Sequence, residues 1–234
     1  MNQKDFHQLI HVVLDGKTPP PATLFAKGFD DWHCRARLAH FLAMPEYGRK
    51  DEAIELFRSV IETEVDEEDA EDVEEKVFAL QRLSAVEREQ EQFEDALRHI
   101  GLAIELAEST DFLYKFILRG ELWADRWTTL HRMGQSHEAE QEADERIAAY
   151  EDIPVAHNSY LYYGYRFKAQ LAAEREVPLV AKDYMHMAIH SMEIPQSYEL
   201  GLETAFAATH DNAAWILSEV DKATPNPDQL HWDI

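Results

Sequence analysis

Apolar and small residues recur at helical spacing along most of this chain. Phe6, Leu9 or Ile10, and Val13 form one stripe, which predicts a helix over residues 4–14 with Asn2 as its cap. Gly16 and the run Pro19, Pro20 and Pro21 end it and force an extended connector. Four pairs of amphipathic segments follow. They predict helices over 30–44 and 51–63, 71–89 and 93–107, 112–133 and 137–150, and 155–173 and 179–192. Pro45 with Gly48, Gly134, and Pro178 mark breaks inside the pairs. After Pro195 the pattern predicts one or two further helices, over 196–208 and 212–222, and then an irregular tail containing Pro225 and Pro227.

The pairs repeat. Ala53, Ala96, Ala139 and Ala181 stand at steps of 43, 43 and 42 residues, each at a similar place in its pattern. In the second pair, QFEDALRHIGLAIELA sets Ala96, Ile100 and Ala103 at i, i+4 and i+7, so two small residues flank a large one on one helix face. Ala53, Phe57 and Val60 repeat this arrangement, as do Ala181, Met185 and Ala188. Gly48 and Gly134 each lie five residues before their alanine, and an acid precedes the alanine at Glu52, Asp95 and Glu138.

This pattern resembles the tetratricopeptide repeat (TPR), whose second helix carries a small, a large and another small residue. The resemblance covers roughly residues 32–192, and Trp123 falls where that family often has tryptophan. The step exceeds the family's usual 34 residues, the third repeat matches weakly at Ala143 and Arg146, and Glu108 replaces the family's terminal proline. The expected fold is an all-α, α-α superhelix: a TPR-like solenoid of four to five antiparallel helix pairs. Its expected divisions are a capping helix and proline-rich connector over 1–31, repeats over 32–194, and capping helices with a tail over 195–234.

Charge narrows the partners. The chain has 46 acidic and 22 basic residues, a net charge of −24. Such a field repels phosphate backbones and anionic headgroups, so neither nucleic acid nor a membrane surface is expected. The lone cysteine, Cys34, has no internal disulfide partner, the N-terminus lacks a signal-peptide layout, and no long apolar run occurs. A cytoplasmic protein is the expectation.

In tetratricopeptide proteins the first helices of successive pairs line a concave surface that accepts peptides. Carried over through the alanine register, those positions include Arg35, Leu38 and Leu42, then Phe78, Gln81, Ala85 and Arg88. Further along they include Glu121, Ala124, Thr128 and His131 with Arg132 beside it, and then Tyr163, Arg166 and Gln170. The resemblance thus implies a peptide-binding groove at Arg35, Gln81, Arg88, His131, Arg132, Tyr163, Arg166 and Gln170. Arginines concentrate on the first helices, at Arg35, Arg37, Arg82, Arg88, Arg119, Arg126, Arg132 and Arg166, which favours an acidic ligand. The competing reading is that they pair with neighbouring acids and solubilise the helices. The aromatic block Tyr160, Tyr162, Tyr163, Tyr165 and Phe167 covers more than one helix face, with two or three rings expected in the core.

No catalytic constellation, cofactor or metal is expected. His7 with His11 and His186 with His190 have the i, i+4 spacing of metal ligands, yet apart from Asp183 near the second pair no third ligand stands nearby. The acidic run over 64–75 lacks the glycine and oxygen spacing of a calcium loop. Cys34 and His33 are adjacent on a helix and point apart, poor geometry for a thiol nucleophile. The leading expectation is a non-enzymatic scaffold that binds a peptide or protein segment, with a homodimer as a further association. The alternatives are a bacterial peptide-sensing regulator and a metal-assisted enzyme.

Overall fold

The computed structural model describes residues 31–45, 47–65, 69–110, 115–151 and 158–192. The segments expected to cap the repeats, 4–14, 196–208 and 212–222, lie outside the described residues, as do His7 and His11. The described part is all-helical. Its elements are α1 (Trp32–Ala43), α2 (Lys50–Ile61), α3 (Ala70–Glu89), α4 (Phe93–Ser109), α5 (Lys115–Arg132), α6 (Ser136–Tyr150), α7 (Asn158–Glu174) and α8 (Pro178–Met192). Each lies on a span that the apolar periodicity predicts. No described helix is long and apolar enough to cross a membrane.

The chain divides into two compact units, Met1–Leu113 and Tyr114–Ile234. In the first, α1 packs on α2, α3 packs on both, and α4 packs on α3. In the second, α5, α6, α7 and α8 repeat that scheme in the same order. A third helix laid across the first pair buries an apolar face that two helices alone would leave wet.

The four hairpin turns are built alike. Each contains one residue in the left-handed region: Gly48 (φ 60°), Glu91 (φ 60°), Gly134 (φ 89°) and Glu176 (φ 58°). These stand at the same steps of 43, 43 and 42 as the alanines, five residues ahead of each. The residue after the left-handed one closes the preceding helix. Gln92 N–H donates to Glu87 O (2.8 Å), Gln135 N–H to Leu130 O (2.9 Å) and Val177 N–H to Ala172 O (3.0 Å). These bonds satisfy carbonyls that the helix end leaves open. The same residue's carbonyl then starts the next helix by accepting from the repeated alanine N–H, at 3.0 to 3.1 Å for Ala96, Ala139 and Ala181. The first turn is two residues longer, through Pro45, and closes from Arg49 N–H to Leu42 O (3.0 Å). All four alanines are buried. In the second pair Ser84 Oγ donates to Ala96 O (2.8 Å), a close approach that a larger residue at 96 would prevent.

Local signals fix the other ends. Asp31 caps α1 by accepting from the N–H of His33 and Cys34, and Asp69 caps α3 from Glu71 and Asp72. Thus the later part of the acidic run over 64–75, from Asp69 onward, caps and opens α3. Lys76 crosses from α3 to the end of α2 and donates to the carbonyls of Val60, Ile61 and Thr63 at 3.1, 2.6 and 2.5 Å. An ammonium there meets both the open carbonyls and the negative helix end. The first unit's core joins Leu38 and Leu42 to Leu56, Phe57 and Val60 and to Leu83 and Val86. In the second unit α5 and α7 meet at Gly120, where a Cβ would come within 2.3 Å of Ser159 O. Trp127 is fully buried and lies 5.8 Å from the Phe167 ring.

Candidate functional site

In the first unit, α1 and α3 are the first helices of their pairs, and a hollow of about 350 Å³ lies between them. Ala36 and His40 line it from α1 at i, i+4, as do Arg37 and Phe41. Glu75, Phe78, Ala79 and Arg82 line it from α3, and Phe57 of α2 completes the lining. Phe57 is 1% exposed and forms the floor. The space exists because Ala36 and Ala79 face each other's helix where larger residues would fill it. Phe41 and Phe78 supply further apolar wall, while the charged groups sit towards solvent.

Arg37 and Arg82 are exposed and form no hydrogen bond or ion-pair contact with a described residue. They act on the site electrostatically. Burial and the nearby Arg82 guanidinium hold the His40 imidazole below its ordinary value, so it is neutral at pH 7. Burial pushes the Glu75 carboxyl up, against the opposing pull of Arg37 and His33. His33 Nε2 also lies 3.0 Å from Asp72 Oδ1, linking α1 to α3 beside the hollow.

The expected groove residues fall in different surroundings. Arg35 reaches across to the segment just after α2, where its Nη2 donates to Thr63 Oγ1 at 3.3 Å. Gln81 is buried at 3% exposure and offers no surface. Leu38 and Leu42, mapped to the same face, are fully buried in the core. On α1 the hollow is lined by Ala36, Arg37, His40 and Phe41, and not by the carried-over positions Arg35, Leu38 and Leu42. Arg88 is half-buried near the end of α3.

In the second unit Glu174 gathers two of the expected residues: His131 Nε2 lies 2.8 Å from Glu174 Oε2, and Gln170 Nε2 donates to Glu174 Oε1 at 3.0 Å. His131 Nδ1 also meets Ser136 Oγ at 2.9 Å, and its ring stands edge-on to Phe167. The Arg166 guanidinium lies 5.7 and 5.8 Å from the Tyr162 and Tyr163 rings. Burial and the Glu121 carboxylate raise the Tyr163 phenol well above its ordinary value. Arg132 is exposed at the end of α5.

Arg126, counted among the first-helix arginines, instead holds Glu142 of α6 through Nε (2.9 Å) and Nη2 (2.7 Å). Here the solvating-pair reading describes the arginine. Tyr160, Tyr162, Tyr165 and Phe167 are all buried, so more of the aromatic block enters the core than its spacing implied.

Sequence reasoning named Phe78, Arg37 and Arg82 but did not assemble them with His40, Phe41 and Glu75. The available signal was the matched i, i+4 spacing of Ala36 with His40 and Phe78 with Arg82. Elsewhere, burial and Asp31 raise the Cys34 thiol, the opposite of an activated nucleophile. His186 and His190 are exposed on α8, and no group of three metal-ligating side chains converges among the described residues. No protein-family model, curated protein or solved structure matches the chain.

Proposed function

We propose that this protein is a non-enzymatic interaction scaffold of the tetratricopeptide type, a superhelix of helix pairs that binds an acidic peptide segment along its first helices. The observation that carries this reading is the pair Arg37 and Arg82, both exposed and in no close ion pair among the described residues, around an apolar hollow lined by a single acid, Glu75, on a chain of net charge −24. Two cations on facing helices form a local positive mouth that draws carboxylates, and arginine binds them bidentately. The repeated turn, repeated alanine and shared packing order of the two units support the solenoid reading.

The test is a double charge reversal, Arg37→Glu with Arg82→Glu. Both side chains are exposed, so helical circular dichroism should stay unchanged. Affinity for acidic peptides should fall at least tenfold, measured by fluorescence anisotropy at 0.15 M salt. Unchanged affinity would remove the first unit from the groove.

A further inference from the structure

We propose that the hollow between α1 and α3 is an anchoring subsite: it takes one aromatic side chain of the bound segment, while carboxylates on either side of that residue pair with Arg37 and Arg82. This rests on the acidic-peptide reading above and adds the determinant that gives it selectivity.

Three features of the site point to this occupant. The first is size. At about 350 Å³ the hollow lies at the lower end of small-ligand sites, which begin at about 300 Å³. It has room for a single large side chain and not for a folded element. The second is chemistry. The interior is made of Phe41, Phe57, Phe78, Ala36 and Ala79, so it rewards an apolar ring, and aromatic neighbours favour edge-to-face packing of another ring. The third is the arrangement of charge. Arg37 belongs to one wall and Arg82 to the other, so acids flanking the anchor meet a cation on each side. Glu75 is the one acid in the lining and lies within reach of Arg37, so the two guanidiniums outnumber it at the mouth. Such a centre, apolar inside and charged at the rim, is the usual anatomy of a binding hot spot.

The experiment uses the full chain and three fluorescein-labelled hexapeptides at pH 7 and 0.15 M salt. One has a central phenylalanine among glutamates and aspartates, the second replaces the phenylalanine by alanine, and the third replaces the acids by their amides. The first should bind at least tenfold more tightly than either of the others. Arg82→Gln should weaken the first peptide about tenfold and leave the amide peptide unaffected. Ala79→Leu, which fills the hollow, should remove the phenylalanine preference while the acidic alanine peptide keeps its affinity. Arg82 is exposed, so its variant carries the test even if Ala79→Leu unfolds. Equal binding of the phenylalanine and alanine peptides, still weakened by Arg82→Gln, would overturn the anchor and leave the acidic groove standing. Absence of binding by both acidic peptides would overturn the groove itself, and the anchor with it.

Discussion

His40 shows how much one neighbour determines. Burial and Arg82 together disfavour its charged form, so its folded value lies below the ordinary imidazole value of about 6.5. Between those two values the unfolded chain binds a proton and the folded chain does not. Stability therefore rises with pH across that window, and is lost as pH falls through it. Replacing Arg82 by Gln removes one of the two causes. The His40 Cε1–H titration followed by NMR should then move to higher pH, while burial keeps it from recovering fully. A titration unchanged by the substitution would mean that Arg82 does not face His40.

A second residue-scale case is Glu87 with His99, both essentially fully buried, where Oε2 lies 2.6 Å from Nδ1. Arg58 Nη2 donates to the other carboxylate oxygen at 3.1 Å. Glu87→Ala leaves a buried imidazole without its partner, and an unsatisfied buried polar group costs about 1–3 kcal/mol. Chemical denaturation should show that loss, and a change below about 1 kcal/mol would indicate that water replaces the carboxylate.

At the scale of elements, the turn between paired helices is the conserved device within this chain. Two of the four turns use glycine at the left-handed position, while Glu91 and Glu176 hold it with a side chain. Both glutamates are exposed, so nothing in the packing requires them. A left-handed L-residue costs about 1–2 kcal/mol, of which glycine's greater freedom in the unfolded chain takes back about half. Glu91→Gly should therefore stabilise the first unit by about 0.5–1 kcal/mol and raise its thermal midpoint. Gly134→Ala should do the opposite in the second unit, where the space around Gly134 is open and only the backbone conformation opposes a Cβ.

For the whole molecule, the balance is between a diffuse field and a local one. The net charge of −24 repels acidic ligands at long range, yet at 0.15 M salt exposed charges more than about 8 Å apart are largely screened. At contact distance the ligand meets Arg37 and Arg82. The two units differ in this respect. In the first, Arg37 and Arg82 form no hydrogen bond or close ion pair with a described residue, and Glu75, which feels Arg37, is the one acid lining the hollow. In the second, Arg126 is held by Glu142 and His131 by Glu174, while Glu121 and Asp125 stand near Tyr163. Charge composition is shared by the whole chain, but the availability of a cation is decided unit by unit.

The alternation of apolar and polar positions determined the eight helices of the described residues, because burial of one stripe per helix is a local requirement that 3.6-residue spacing reports directly. The alanine steps likewise announced four equivalent hairpins, since only a small residue fits where the paired helices approach. Spacing did not determine which side of α1 stays open. Leu38 and Leu42 read as groove positions by analogy, yet α2 and α3 close over them, and the open side falls to Arg37, His40 and Phe41. Nor did the sequence reveal that Glu91 and Glu176 adopt the conformation of Gly48 and Gly134, because φ there is imposed by the helices on either side. Which arginines find acids is settled only when helices from distant parts of the chain are brought together, and Arg126 and Arg82 differ for that reason alone.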